Sequence, residues 1–372
     1  MSDEMLNKIS DLEWEIAATY KPGMRVPARV YANQDLINKM RKDNTFDQLV
    51  GVTFLPGVQK WAVCLPDAHQ GYGFPIGGVA ATDLETGVIS PGGVGYDINC
   101  GVRLLRTSID KKDLIPSIRD LLNNLFEDIP SGLGSKGKIR VSISELDKVL
   151  ANGAAWGVEN GYGWDEDLQH SEERGCMQLA DAGKVSERAK DRGKSQIGSL
   201  GSGNHFLEIQ YVDKIYDVEV AKKLGITEEG QVTIMIHTGS RGLGHQVCSD
   251  YLRTMEHAMR KYDIRVPDRE LACAPLTSQE GKDYLAAMAA SANFAWCNRQ
   301  LITHWVRESF EKTLKTSAEK LDLHLIYDVA HNMGKIEDHI IDGKSMKVCV
   351  HRKGATRAYP PNHKVLPQDY KT

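Results

Sequence analysis

The sequence predicts an α+β fold, a single domain with a mixed β-sheet core and surrounding helices. Three observations carry this. Apolar, strand-like runs recur at 102–107 (VRLLRT), 232–236 (VTIMI) and 323–327 (LHLIY), each beside a glycine or histidine turn. Helical stretches of unequal length, 109–128, 244–262 and 278–316, are interspersed with them. Strands, helices and long glycine loops follow one another without regular β–α–β alternation.

Taken in order, residues 1–27 form an entry segment, in which LEWEI alternates like a short strand and TYKPGMRVP supplies turn residues. Positions 28–41 read as a helix, and 52–55 and 60–65 as short strands. PDAHQGYGFPIGG (66–78) is a glycine-rich polar loop, and 79–81 with 87–90 reads as a hairpin leading into GGVGYDINCGVR at 92–103. In 109–128, Leu114, Ile118, Leu121, Leu122 and Leu125 recur at spacings of three and four, which gives a helix with one apolar face. A helix opens at 144–150 with Ser144 and Asp147 as a weak capping box. Residues 152–176, rich in glycine, tryptophan and acid, read as a long irregular loop, and 181–191 as a polar helix. The alanine-rich stretch 278–316 is a core helix or helix pair. A strand at 346–350 precedes the basic loop HRKGATRAYPP. There is no internal repeat or low-complexity tract.

Of the 372 residues, 41% are hydrophobic and 26% charged, which is ordinary for a soluble globular protein with a substantial core. The net charge of −4 does not point to nucleic acid, although a local basic groove is compatible with it. The seven cysteines are odd in number and form no CxxC pair, which favours a reducing cytoplasm over a disulfide framework. The acidic start lacks the apolar region of a signal peptide, and no apolar run approaches the ~20 residues of a membrane span.

The chemistry-bearing residues cluster in a few motifs. Asp97 and Cys100 stand three apart in a glycine-rich turn, where a carboxylate and a thiol can share a cation. Alone, such a cysteine is an inert buried hydrophobe. Three histidines in comparable settings change that reading: His205 in GSGNHFLEI, His237 at the end of VTIMI, and His331 in YDVAHN. Three imidazoles, a thiol and a carboxylate exceed what one tetrahedral ion needs. They suit Mn²⁺, Fe²⁺, Co²⁺ or Zn²⁺ better than Ca²⁺ or Mg²⁺, and a pair of ions ~3.5–4 Å apart suits phosphoryl chemistry. Arg192, Lys194 and Arg241 are the phosphate-handling candidates, Arg241 lying in the glycine loop after His237. Two GKS triplets are not P-loops, because Arg188 and Asp338 stand where the upstream glycine belongs. Glu208 reads as an exposed strand carboxylate; its functional alternative is an acceptor for the N1 and N2 edge of guanine. His245, His257 and His304, on helices, read as packed or solvent-facing side chains.

Together GGVGYDINCGVR, PDAHQGYGFPIGG, GSGNHFLEI, HTGSRGLGH, YDVAHN and VHRKGATRA, in this order save that the second precedes the first, resemble the RtcB-type RNA-splicing ligases. The resemblance implies the family's own α+β architecture. It implies a GTP- and manganese-dependent ligase that joins RNA 3′-phosphate or 2′,3′-cyclic phosphate ends to 5′-hydroxyl ends in tRNA splicing or RNA repair. The implied route guanylylates a histidine with GTP, passes the guanylate to the RNA 3′-phosphate, and lets the 5′-hydroxyl expel GMP. A cyclic end would first be hydrolysed. The resemblance also implies that Asp97, Cys100, His205, His237 and His331 hold two Mn²⁺, with Cys100 shared. It places Asn204, His205, Phe206, Leu207, Glu208, His331 and Asn332 at the guanylate, and Arg192 and Arg241 near RNA phosphates. Archease is a possible activating partner of such enzymes.

The family pattern also includes a glycine-serine loop after HRKGATRA and a histidine-glycine-alanine-glycine turn carrying the nucleophile. Neither occurs before residue 372, so the chain is expected to be a ligase domain, 1–372, that is C-terminally incomplete relative to the family. None of the 12 histidines is assigned as the nucleophile; His351 and His363 are nearest the end but lie in other motifs. The readings that compete with a ligase are a metal- and RNA-binding remnant without joining activity and a dimetal phosphoesterase acting on cyclic phosphates.

Overall fold

The computed structural model describes residues 5–371; the first four residues of the acidic entry segment and Thr372 lie outside them. The strands run in chain order as β1 (Asn7–Lys8), β2 (Glu13–Ile16), β3 (Ala28–Tyr31), β4 (Val58–His69), β5 (Ile76–Asp83), β6 (Val88–Ile89) and β7 (Gly101–Asp110). They continue as β8 (Phe206–Tyr211), β9 (Gln231–Thr238), β10 (Ala274–Pro275), β11 (Leu325–Ala330), β12 (Asn332–Ile341) and β13 (Lys344–Lys353). Two compact units emerge. The first comprises the described residues up to Ile98 with His245–Met288 and His331–Thr356; the second comprises Asn99–Gly244, Ala289–Ala330 and the residues from Arg357 onward. The mixture of sheets and helices is the expected α+β class.

The first unit is built on a seven-stranded sheet in the order β1-β2-β3-β4-β5-β13-β12. It is mixed, because β3 and β4 run parallel while the other neighbours are antiparallel. Alternation decides its faces. In β2, Trp14 and Ile16 enter a core shared with Val30, Phe46, Leu55 and Phe74. Glu13 and Glu15 point the other way, and Arg29 of β3 pairs with both. The expected helix at 28–41 is corrected here: ARVY is strand β3, and the helix is only Gln34–Met40, started by Asn33, whose side chain accepts from the Leu36 N–H at 3.0 Å. The expected strand at 52–55 is instead the end of the helix Thr45–Val52 and the turn after it. The 79–81/87–90 hairpin is also corrected, since β6 pairs with β10. β12, with its run of charged residues, was not legible as a strand; it pairs along its whole length with β13.

His351 of β13 is wholly buried in this unit. Its Nδ1 faces the Ala80 carbonyl at 3.3 Å, and its Nε2 accepts the Ser90 N–H at 3.2 Å, an arrangement that suits the neutral ring. Burial lowers its pKa from 6.5 to about 4. The folded value lies below the unfolded one, so the unfolded chain binds this proton more tightly. The contribution to stability is therefore complete above about pH 6.5 and is lost as pH falls toward 4. The full loss is on the order of 3 kcal/mol. His351→Gln is expected to flatten the melting temperature between pH 7 and 4.5; an unchanged acid slope would contradict this.

The second unit holds a four-stranded antiparallel sheet in the order β11-β7-β9-β8. The stretch 278–316 is one helix, Gln279–Leu314, and from Ala289 onward it buries Phe294, Trp296, Leu301, Ile302 and Phe310 completely. The helix Ile143–Asn152 begins one step before the expected cap: Ser142 and Glu145, rather than Ser144 and Asp147, form the capping box. Residues 152–176 contain the short helices Ala154–Glu159 and Asp165–Gln169, so the expected irregular loop is partly ordered into turns of helix. Among the described residues, no helix is long and apolar enough to cross a membrane.

Candidate metal centre

Sheet register in the second unit gathers the candidate ligands at one edge. Gly101, the first residue of β7, pairs with Thr238 of β9 and with Ala330 of β11. One step along, His237 pairs with Val102 on one side and with Phe206 of β8 on the other. Cys100 therefore immediately precedes β7, His237 is the penultimate residue of β9, and His205 immediately precedes β8, all at the same end of the sheet. His331 follows the last residue of β11 by one peptide bond.

The side chains follow the register. Cys100 Sγ lies 3.2 Å from His237 Nε2 and 3.4 Å from His205 Nε2. Donors about 2.0–2.3 Å from one ion lie roughly 3–4 Å from each other, so the Cys100 thiol can share a cation with either imidazole. His205 Nδ1 lies 3.0 Å from the Leu200 carbonyl. A carbonyl only accepts, so the proton sits on Nδ1 and the Nε2 lone pair faces the thiol. A backbone carbonyl behind an imidazole is the usual support of a metal-ligating histidine. The same carbonyl accepts from Thr238 Oγ1 at 2.7 Å. Phe206 sets its ring edge-on to His237, 5.2 Å between centroids. Cys100 and His237 are buried, whereas His205 is partly open, so the donor set is dry on one side and accessible on the other.

Arg241 stands beside His205. Its Nη1 is 3.3 Å from His205 Nδ1 and its Nε donates to Ser199 Oγ at 3.4 Å. Its guanidinium occupies the space that a side chain at Gly201 would need, within 2.1 Å of an added Cβ. Gly201, at φ +98°, is thus required both for its backbone and for its emptiness. Arg192 is exposed and packs against Gly242, the residue after Arg241. Two guanidiniums therefore flank the start of the helix Arg241–Lys261.

Five of the guanylate candidates, Asn204 to Glu208, lie on and just before β8. Asn204 is exposed, and Phe206 and Leu207 are half-buried. Glu208 is exposed, as its plain reading as a strand carboxylate requires, and accepts from Gln210 Nε2 at 2.9 Å.

Asp97 and His331 belong to the first unit. Asp97 sits in the glycine turn, half-buried, and its carbonyl accepts from Asn332 Nδ2 at 3.0 Å. Asn332 Oδ1 accepts from the Gly354 N–H at 2.9 Å, and the His331 carbonyl accepts from the Ala355 N–H at 3.0 Å. The turn is also held by Lys353, whose Nζ donates to the carbonyls of Tyr72, Phe74 and Gly92 at 2.5, 3.1 and 3.2 Å. Three of the motifs, PDAHQGYGFPIGG, GGVGYDINCGVR and VHRKGATRA, thus meet at one buried ammonium.

Sequence reading missed a buried network behind the second unit's ligands. Asp328 of β11 accepts from Arg103 Nε at 2.7 Å and from Arg299 Nε and Nη2 at 2.8 and 2.9 Å. Burial opposes its charge, yet the two guanidiniums hold Asp328 below the usual carboxylate range. Arg103 and Asp328 stand directly opposite each other in the β7–β11 ladder. A charge at an inward position of an otherwise apolar strand was the available signal.

A family model described as tRNA-splicing ligase RtcB matches residues 48–372. A curated tRNA-splicing ligase RtcB of Thermococcus kodakarensis is 59% identical over 366 residues, which is 98% of this chain and 76% of the relative. Relatives of the same description from Archaeoglobus fulgidus and Aeropyrum pernix are 57% and 58% identical, covering 99% and 98% of this chain and 76% of each relative.

Proposed function

Because this chain belongs to the RtcB family, we infer that it is an RNA ligase that acts in tRNA splicing. The observation that carries the chemical part of this reading is the convergence of Cys100, His205 and His237 at one sheet edge with Arg241 beside them. Asp97 and His331 complete the proposed donor set, which takes two Mn²⁺ with Cys100 shared. A thiol with imidazoles and a carboxylate fits such an ion. When bound, manganese would neutralise phosphate charge and polarise phosphorus. The chain's own groups would do the positioning. Arg241 and Arg192 hold RNA phosphates, since guanidinium forks suit phosphate oxygens. Asn204, His205, Phe206, Leu207, Glu208, His331 and Asn332 take the guanylate supplied by GTP. The RNA ends are a 3′-phosphate or 2′,3′-cyclic phosphate and a 5′-hydroxyl, and archease is a partner to test. Among the described residues the seven cysteines form no disulfide, which fits a reducing, cytoplasmic setting.

The test is to incubate the protein with two RNAs bearing those ends, GTP and Mn²⁺. Joined RNA is expected where a histidine of the protein accepts the guanylate; bound metal and RNA with no joining would favour the non-ligating remnant. Hydrolysis of the cyclic phosphate without joining would replace the ligase reading with a phosphoesterase one.

Two predictions bear on the nucleotide and RNA. Glu208→Ala is expected to reduce the preference for GTP over ATP by about tenfold, the worth of one charge-assisted hydrogen bond. Nucleotide competition measures it, and an unaltered preference sinks the guanine-reading role. Arg241→Ala is expected to weaken RNA binding and to reduce the slope of log affinity against log salt by about one. A slope that does not move would remove Arg241 from the phosphate contacts.

A further inference from the structure

The helix Gln279–Leu314 buries Ser291, Asn293, Asn298, Arg299 and Gln300 completely, and two consecutive ones, Asn298 and Arg299, reach the backbone that carries candidate ligands. Arg299 is completely buried. A guanidinium has five N–H donors in a rigid fork, and each of the five is used here. Nε and Nη2 hold Asp328 at 2.8 and 2.9 Å. Nη2 also donates to Asn99 Oδ1 at 3.0 Å. Nη1 donates to the carbonyls of Asn99 and Thr238, at 2.9 and 2.8 Å. Asn99 immediately precedes Cys100, and Thr238 immediately follows His237. A single nitrogen thus ties the backbone flanking two side chains whose donor atoms are 3.2 Å apart.

Asn99 is itself held in an uncommon conformation, φ +51°, in the left-handed region that asparagine tolerates better than most residues. Its Nδ2 donates to the Ala292 carbonyl at 2.7 Å, on the same helix. Asn298 does the same for the third ligand loop. Its Oδ1 accepts from the N–H groups of Gly198 and Ser199 at 2.6 and 3.1 Å, and its Nδ2 donates to the Gly239 carbonyl at 3.3 Å. The next residue, Leu200, supplies the carbonyl that orients His205.

We propose that Arg299, supported by Asn99 and Asn298, is a positioning residue that fixes the spacing of Cys100, His205 and His237 for metal. The proposal rests on the metal reading above. Arg307, about two turns further along the same helix, provides the contrast. It is also buried and pairs bidentately with Asp167 at 2.7 and 2.8 Å, but its remaining bond goes to the Leu323 carbonyl, which adjoins none of Cys100, His205 and His237. A lysine at 299 keeps the charge but has three donors in place of a fork, so it cannot hold Asp328, Asn99 and Thr238 together.

The experiment titrates wild type, Arg299→Lys, Arg307→Lys and Asn99→Gly with Co²⁺, reading the thiolate-to-cobalt absorption, and with Mn²⁺, reading free ion by electron paramagnetic resonance. Melting temperature is recorded for each, and titrations are made where all are folded. Arg299→Lys is expected to weaken both metals by about 10–100-fold, the range for groups that orient ligands, and to shift or weaken the thiolate band. Arg307→Lys is expected to lower the melting temperature with affinity and band unchanged. Asn99→Gly, which keeps the backbone free to adopt positive φ, carries the test if Arg299→Lys fails to fold, and the same weakening is expected. Wild-type affinity and band in Arg299→Lys or Asn99→Gly would overturn the proposal, as would an equal loss in Arg307→Lys. A wild type that binds neither metal at Cys100 would overturn the metal reading itself, and the positioning role with it.

Discussion

Asp328→Ala is expected to destabilise the protein by about 3–5 kcal/mol, the cost of removing one partner from a buried ion pair. The reason is arithmetic of charge. Asp328, Arg103 and Arg299 are all completely buried, and the carboxylate accepts from both guanidiniums. Its removal strands two positive charges in a dry interior. Arg103 keeps Gln300 and Thr303 at 2.7 and 3.1 Å, and Arg299 keeps backbone carbonyls, but these are neutral acceptors. Asp328→Asn is expected to recover only part of the loss, because it restores shape without charge. Urea unfolding measures it. A loss of under about 1 kcal/mol, typical of exposed pairs, would show that the network is solvated and not part of the core.

Cys100→Ser is expected to lower manganese affinity by on the order of 100-fold, roughly 3 kcal/mol, with little change in fold. The side chain is small and buried, so the substitution leaves no large cavity. What it removes is the thiolate, the softest donor of the set and the atom toward which both His205 Nε2 and His237 Nε2 are turned. A serine hydroxyl stays protonated near neutral pH and supplies no such charge. Elemental analysis of the purified variant, with His237→Ala beside it, reads the outcome. Unchanged metal content in both would refute the ligand assignment.

These two expectations mark where the sequence was legible and where it was not. The apolar runs at 232–236 and 323–327 mark β9, which ends just past His237, and β11, which sits two residues later, at Leu325–Ala330. The sequence pattern therefore places His205 and His237 at strand ends, and their approach follows from antiparallel register. Arg299 and Asp328 could not be read in the same way. Arg299 lies in an alanine-rich helix that reads as core, and a buried charge is visible only when its partners, distant in sequence, are in place. The strand at 28–31 carries no sequence signature of its own, because its four residues are too few to show a period against the helix that follows. The pairing of β6 with β10 joins residues far apart in the chain, and local propensity carries no trace of such a contact.

The central claim is that the strand-end thiol and imidazoles form a manganese centre of an RNA ligase. Anomalous diffraction at the manganese edge from crystals grown with Mn²⁺ and GTP tests it most directly. The account predicts two manganese peaks, both within bonding distance of Cys100 Sγ, with His205, His237, His331 and Asp97 completing their coordination. Peaks elsewhere on the molecule, or a Cys100 side chain with no metal beside it, would contradict it.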